Sequence, residues 1–258
     1  MSNILRHLTG TSISNKIFIV GTGRSGTHWL ARILARDDNI RPTIEEYPGF
    51  GWSKQMAVDP STRARQYWKL VWYYRLQHLF SVPRHYLDKS HPNLWIADQL
   101  ANTFDDALFI GIRRNPYATV ASMMKHEQVR KWHERWRDLP VPNPFLGITC
   151  SDVEHYDHLS IAAQCAKRWK AHADKMSEMQ RLLSGKIHVV DHEQLIMDAA
   201  RTLTGIETFL GLTTSLQVQN IDYQTLDKWR RSLTSDDIQD IFAVTGVDPD
   251  SVISAIDV

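Results

Sequence analysis

The run Gly21-Thr22-Gly23-Arg24-Ser25-Gly26-Thr27 places three glycines, three hydroxyl side chains and one cation within seven residues. Glycines let backbone N–H groups approach an oxyanion. Hydroxyls and a guanidinium add donors, and a helix beginning here adds unpaired N–H groups and partial positive charge. Such a set grips a phosphate. Arg114-Asn115-Pro116, with Ser122 eight residues after the arginine, is a second place of this kind. The planar fork of arginine donates two parallel hydrogen bonds to a phosphate, and a nearby hydroxyl adds another.

The first run is not a Walker A motif, which needs a lysine and then a hydroxyl directly after its second glycine. Gly21 and Gly26 have that separation, but Thr27 stands where the lysine belongs and His28 where the hydroxyl belongs. The cation comes early, as Arg24.

The elements that position these residues follow from periodicity. Lys16–Val20 reads as a buried strand, and Trp29, Leu30, Ile33 and Leu34 recur at helical spacing from Thr27. Strands are also expected at 40–44, 84–89, 107–113 and 186–191. Helices are expected at 61–80, 94–104, 116–127, 160–183, 193–200 and 202–210. Asn115 is a good N-cap and Pro116 a good first helical residue. Residues 47–52 read as a turn-rich aromatic loop, and 1–15 as a loose lead-in. Residues 129–158 read as an irregular excursion, a lid or substrate-binding segment. Alternating strands and helices predict one α/β domain over 1–258, a three-layer P-loop-like fold with a central parallel sheet flanked by helices. The loops after Val20, Lys89, Arg113 and Val190 should meet at the carboxyl edge of that sheet.

Composition sets bounds. The 258 residues suffice for a sizeable core, and 43% hydrophobic with 23% charged residues is ordinary for a globular chain. A net charge of +1 gives no case for a nucleic-acid partner. Cys150 and Cys165 make no disulfide framework, and no apolar run approaches the roughly 20 residues that span a bilayer. The expected location is cytoplasmic.

Arg-Ser-Gly-Thr after the first strand, with Arg-Asn-Pro and a serine at plus eight after a later one, resembles the two phosphate-binding motifs of sulfotransferases, bacterial type included. These enzymes take a sulfuryl group from 3′-phosphoadenosine 5′-phosphosulfate (PAPS) and release adenosine 3′,5′-bisphosphate (PAP). Lys89-Ser90-His91 is similar to the Lys-Thr-His of cytosolic members and to the Glu-Lys-Thr-Pro region of bacterial ones. His192-Glu193-Gln194-Leu195 is similar to their Tyr-Glu-Asp-Leu, with His192 in place of the tyrosine. The resemblance implies that Gly23, Arg24, Ser25, Gly26, Thr27 and His28 hold the 5′ end of the donor, with Arg24 also neutralising the departing phosphate oxygen. It implies that Arg114 and Ser122 hold the 3′-phosphate and that Trp29 stacks on adenine. His192, Lys228 and Arg230 are further nucleotide contacts on the same basis. No metal is implied.

Sulfuryl transfer needs a base for the acceptor hydroxyl or amine. His91 is favoured by its place beside Lys89, itself a catalytic candidate, and by the titration range of imidazole. Glu45 and Glu46 are rivals, standing where glycan- and protein-modifying members carry a catalytic glutamate. Adjacent residues on an extended segment point oppositely, so one of them faces the site. Asp152, Glu154, His155, Asp157 and His158 read as a mixed-charge surface loop and not as metal ligands.

Tyr47, Phe50, Trp52, Trp132, Trp136 and Phe145 flank the expected donor site among many charges. They suit a polar, small-molecule or glycan acceptor, such as a carbohydrate or glycosylated metabolite. A P-loop kinase or hydrolase, and a catalytically silent nucleotide-binding module, are the alternatives. Oligomeric state is left open.

Overall fold

The computed structural model describes residues 14–219 and 221–253, so most of the expected lead-in lies outside the described residues. Five strands, Lys16–Gly21 (β1), Ile40–Ile44 (β2), His85–Lys89 (β3), Ala107–Arg113 (β4) and Ile187–Asp191 (β5), form one all-parallel sheet in the order β2-β3-β1-β4-β5. The helices are Thr27–Leu34 (α1), Gly49–Val58 (α2), Arg63–Leu79 (α3), Ala97–Thr103 (α4), Pro116–Met124 (α5), Glu127–Glu134 (α6), Ile161–Leu182 (α7), His192–Met197 (α8), Ala199–Leu210 (α9) and Ser235–Thr245 (α10).

Successive strand residues face opposite sides, and the central strand β1 is apolar on both. Phe18 and Val20 enter a core with Tyr74 of α3, Leu100 of α4 and Met176 of α7. Ile17 and Ile19 enter another with Leu30 and Leu34 of α1 and Leu203 and Ile206 of α9. The expected three-layer α/β architecture is therefore present. Tyr117 of α5, Cys165 of α7, Trp229 and Ile241 of α10 form a third cluster beside the sheet.

Four details differ from the sequence reading. Of residues 47–52, only Tyr47 and Pro48 form the expected turn. Helix α2 begins at Gly49, and a Cβ there would lie 2.5 Å from the Tyr73 ring, so the glycine serves close packing rather than a turn. The helix expected at 94–104 is a buried 3₁₀ turn, His91–Ile96, followed by α4, because Pro92 sits in the opening turn. The boundary expected near 200–202 falls at Asp198, whose carboxylate caps α9 by accepting from the Arg201 N–H at 3.1 Å. The 129–158 stretch starts within α6 and is pinned into the first core by buried Trp136, Phe145, Ile148 and Tyr156.

Because all strands run the same way, Gly21, Ile44, Lys89, Arg113 and Asp191 end at one edge of the sheet. The loops that leave this edge build the site. No helix among the described residues is long and apolar enough to cross a membrane.

Candidate active site

The chain leaves β1 through Thr22–Gly26 and enters α1. Ser25, 1% exposed, donates its hydroxyl to the Thr22 carbonyl at 2.7 Å and its N–H to the same oxygen at 3.1 Å. It braces the turn from inside, with its donors committed to the loop. Gly26 caps α1 at φ +97°, and a Cβ there would lie 2.5 Å from the His192 ring, so only glycine fits. Arg24 holds φ +78° and is exposed. Its Nε donates to Ser122 Oγ at 3.0 Å.

A second corner forms where β4 gives way to α5. Asn115 caps α5 by accepting from the Ala118 N–H at 2.7 Å. Its own N–H and Nδ2 donate to Glu193 Oε1 at 3.0 and 2.7 Å. Trp169 of α7 donates its indole N–H to the Arg114 carbonyl at 2.9 Å. So held, Arg114 reaches back. Its Nη1 donates to the Arg24 carbonyl at 3.3 Å and its Nη2 to the Thr225 carbonyl at 3.4 Å, while Nε is buried with no partner among the described residues. The two arginine corners, 90 residues apart in sequence, are in contact.

Beside them, Glu45 leaves β2 at φ +53°, with its N–H on the Lys89 carbonyl at 3.0 Å. Among the described residues, Arg24 and Glu45 are the non-glycine residues with positive φ, and both sit at this edge. Glu45 Oε1 accepts from the buried Lys89 ammonium and lies 3.0 Å from His91 Nδ1. Its Oε2 lies 3.6 Å from His28 Nε2, and Lys89 also donates to His28 Nδ1 at 2.9 Å. Glu46 is exposed and does not line the site.

Charge states follow from these contacts. Burial alone would raise the Glu45 pKa, but hydrogen bonds and charge from His91 and Lys89 outweigh it and bring the carboxyl down to about 2. Burial, opposed by the Glu45 hydrogen bond, lowers His91 to about 4. His91 is therefore neutral at pH 7. Facing a carboxylate, its Nδ1 carries the proton, which leaves the lone pair on Nε2. Nε2 is buried, has no partner among the described residues, and lies 3.3 Å from where a Gly23 Cβ would stand.

The phosphate loop and the Glu45–Lys89–His91 cluster border a pocket of about 300 Å³, and Arg114 and Ser122 are not among its lining residues. Gly23, Arg24, Thr27 and His28 line one side, and Glu45, Lys89 and His91 the floor. Tyr47, Phe50, Val129 and Trp132 also line it, together with Lys54, His126 and the buried Arg168. The six aromatics singled out in the sequence divide here. Tyr47, Phe50 and Trp132 line the pocket, Trp136 and Phe145 are core residues, and Trp52 packs on Tyr73 at 6.3 Å between ring centroids.

Trp29 and His192 stand behind the loop, in edge contact at 5.5 Å, and burial lowers His192 to about 3. Lys228 and Arg230 lie outside the pocket wall in local ion pairs, Lys228 with Asp222 at 2.6 Å and Arg230 with Asp227 at 3.4 Å. Asp157 pairs with Arg137 and Asp152 with Lys167. Among the described residues no group of His, Cys, Asp or Glu side chains could hold a metal ion.

Arg168 was missed by the sequence reading. Its signal is its place on a buried helical stripe with Cys165, His172 and Met176, where an apolar residue would be expected.

A family model described as "Sulfotransferase family" matches residues 16–216. Among solved structures, the sulfotransferase domain of a Synechococcus olefin synthase aligns with a TM-score of 0.55 at 19% identity, over 93% of this chain and 97% of that one. The sulfotransferase domain of the curacin biosynthetic pathway aligns at 0.55 and 14%, over 93% and 99%. A sulfotransferase from Alicyclobacillus acidocaldarius aligns at 0.52 and 17%, over 93% and 98%. At these identities the likeness concerns the fold. No curated protein matches the sequence.

Proposed function

The chain belongs to the sulfotransferase family, and from that membership we propose that it moves a sulfuryl group from PAPS to a hydroxyl of a polar, ring-bearing acceptor such as a carbohydrate or glycosylated metabolite. The observation that carries this reading is the contact between the two arginine corners, with a carboxylate-paired neutral histidine beside them. Polar atoms left over at the site suit such a donor. Arg114 Nε and His91 Nε2 are buried with no partner among the described residues.

Gly23, Arg24 and Thr27 would hold the 5′ end, with Ser25 shaping the turn. Arg114 and Ser122 would hold the 3′-phosphate. When bound, the donor supplies a sulfuryl group on a phosphate leaving group. The protein then has to remove a proton from the acceptor and neutralise charge on the leaving oxygen. His91 Nε2 would take that proton, a role worth about 10²–10⁴-fold in rate, and its Nδ1 contact with Glu45 supports this reading. Glu45 would fix the tautomer of the neutral ring and then stabilise the imidazolium that forms. Arg24 supplies the fixed positive charge at the leaving oxygen. Lys89 keeps Glu45 ionised through a charge-assisted hydrogen bond.

On the acceptor side, Tyr47, Phe50 and Trp132 offer ring faces, and Lys54 and His126 offer polar contacts. That mixture suits a sugar ring better than a lipid chain. Calorimetric titration with PAP tests the donor: wild-type protein should bind, and Arg24→Ala and Arg114→Ala should each weaken binding at least tenfold. Unchanged affinity in both variants refutes the donor assignment. Radiolabelled PAPS with a glycan and metabolite panel tests the acceptor.

A further inference from the structure

Arg168 is 1% exposed, yet its guanidinium makes no hydrogen bond or ion pair with any described residue. Nε and Nη1 are buried with no partner among those residues. Its central carbon lies 4.6 Å from the centroid of the Trp132 ring and 4.7 Å from that of Phe145. Those faces attract a cation but accept no conventional hydrogen bond. Nη2 lies 3.5 Å from where a Gly23 Cβ would stand, so Arg168 and His91 Nε2 converge on one point above the loop. The acid on this pocket wall, Glu45, is already engaged by Lys89 and His91.

An unpaired buried cation weakens a fold, and an apolar residue of similar volume would fill this stripe at least as well. Burial lowers the guanidinium only to about 10, so it stays charged at neutral pH. The two ring faces offset part of that cost but leave the N–H donors unmet; an anion brought by a ligand would meet them.

We propose that Arg168 is a sulfuryl-binding residue, donating from Nη2 to a non-bridging oxygen of the group that is transferred. This rests on the donor reading given above. In the transfer, the sulfur–oxygen bond to the acceptor forms as that to the phosphate breaks. The acceptor proton goes to His91 and the electron pair stays on the phosphate oxygen. The non-bridging oxygens keep their bonds throughout, so one fixed donor can hold the group in line from start to finish.

PAP lacks the sulfuryl group, which makes a binding test possible without a known acceptor. In the full chain, Arg168→Met should weaken PAPS at least tenfold, leave PAP within twofold, and keep or raise Tm. Arg168→Lys should recover part of the PAPS affinity and serves as the readout if the methionine variant does not fold. Equal weakening of both nucleotides, or of neither, overturns the assignment. So does a lone rise in acceptor KM with PAPS affinity unchanged, which would place an acceptor anion there instead. If the wild type binds neither PAPS nor PAP, the donor reading itself fails and the Arg168 assignment with it. If PAP binds and only the PAPS-selective loss is missing, the donor reading stands and Arg168 alone is wrong.

Discussion

His91 Nδ1 lies 3.0 Å from Glu45 Oε1, and this contact makes one unit of two groups that each resembled a base alone. The carboxylate fixes which imidazole nitrogen carries the proton. It also prepares a counter-charge for the imidazolium that would follow proton uptake.

Joint action has a kinetic signature. His91→Ala and Glu45→Gln should each lower kcat by about 10²-fold or more. The double variant should be little worse than His91→Ala, because groups acting as a unit are not additive. Steady-state kinetics on the three proteins checks this. A multiplicative double-mutant effect would separate the two roles.

The acid limb of kcat/KM should fall near pH 4 and not near 6.5. Burial lowers His91 to about 4 against the support of Glu45, so the neutral base persists well below the usual imidazole range. A pH–rate profile with an acceptor free of groups titrating in that interval gives the measurement. An inflection near 6.5 would contradict it.

Stability should fall on acidification. Burial lowers His91 to about 4, and His133 and His192 to about 3, below the ordinary 6.5. Between those values and 6.5 the unfolded chain binds more protons than the folded one. The contribution of these groups is complete above pH 6.5 and is lost progressively as pH falls through the folded values. Glu45, brought down to about 2 from an ordinary 4.5, adds a further loss below pH 4.5. Thermal melts should show Tm lower at pH 5 than at pH 7.5, and lower again at pH 4.

The phosphate loop should separate backbone from side-chain effects. Gly26→Ala forces a Cβ onto the His192 ring and strains φ +97°, at a backbone cost of about 1–2 kcal/mol before the clash. It should lower Tm and abolish PAP binding. Arg24→Gly relieves a positive φ at an exposed side chain and should raise Tm by about 2–4 °C while also losing PAP binding. Calorimetry and thermal melts on both variants give the contrast.

The first corner was readable from sequence because its signals are local: a buried strand, clustered glycines and helical spacing within about twenty residues. The Glu45–His91 pair was not. It exists because β2 pairs with β3 in a register that sets Ile44 beside Lys89, and strand order is a property of the whole chain. Helix α2 was missed for a similar reason. Its glycines and proline suggest a turn, but Ser53 bonds Asn93 at 2.7 Å and Gly49 packs on Tyr73 from a neighbouring helix. Arg168 drew no reading from sequence, because its burial depends on how α7 lies on the sheet. Lys228 and Arg230 were legible as basic residues, but their acidic partners Asp222 and Asp227 lie close by in sequence and the pairing depends on the local fold.

Helix α7 sets a distance that no loop could set as firmly. Trp169 holds the backbone of Arg114 at one end of the site, and the preceding residue, Arg168, turns to the other end at Gly23. Consecutive positions on a helix diverge by about 100° and advance by about 1.5 Å. The span between the two ends is thus gauged by helical pitch. A slip of α7 by a single residue would misalign both ends together, whereas insertions in the surface loops would leave that span untouched.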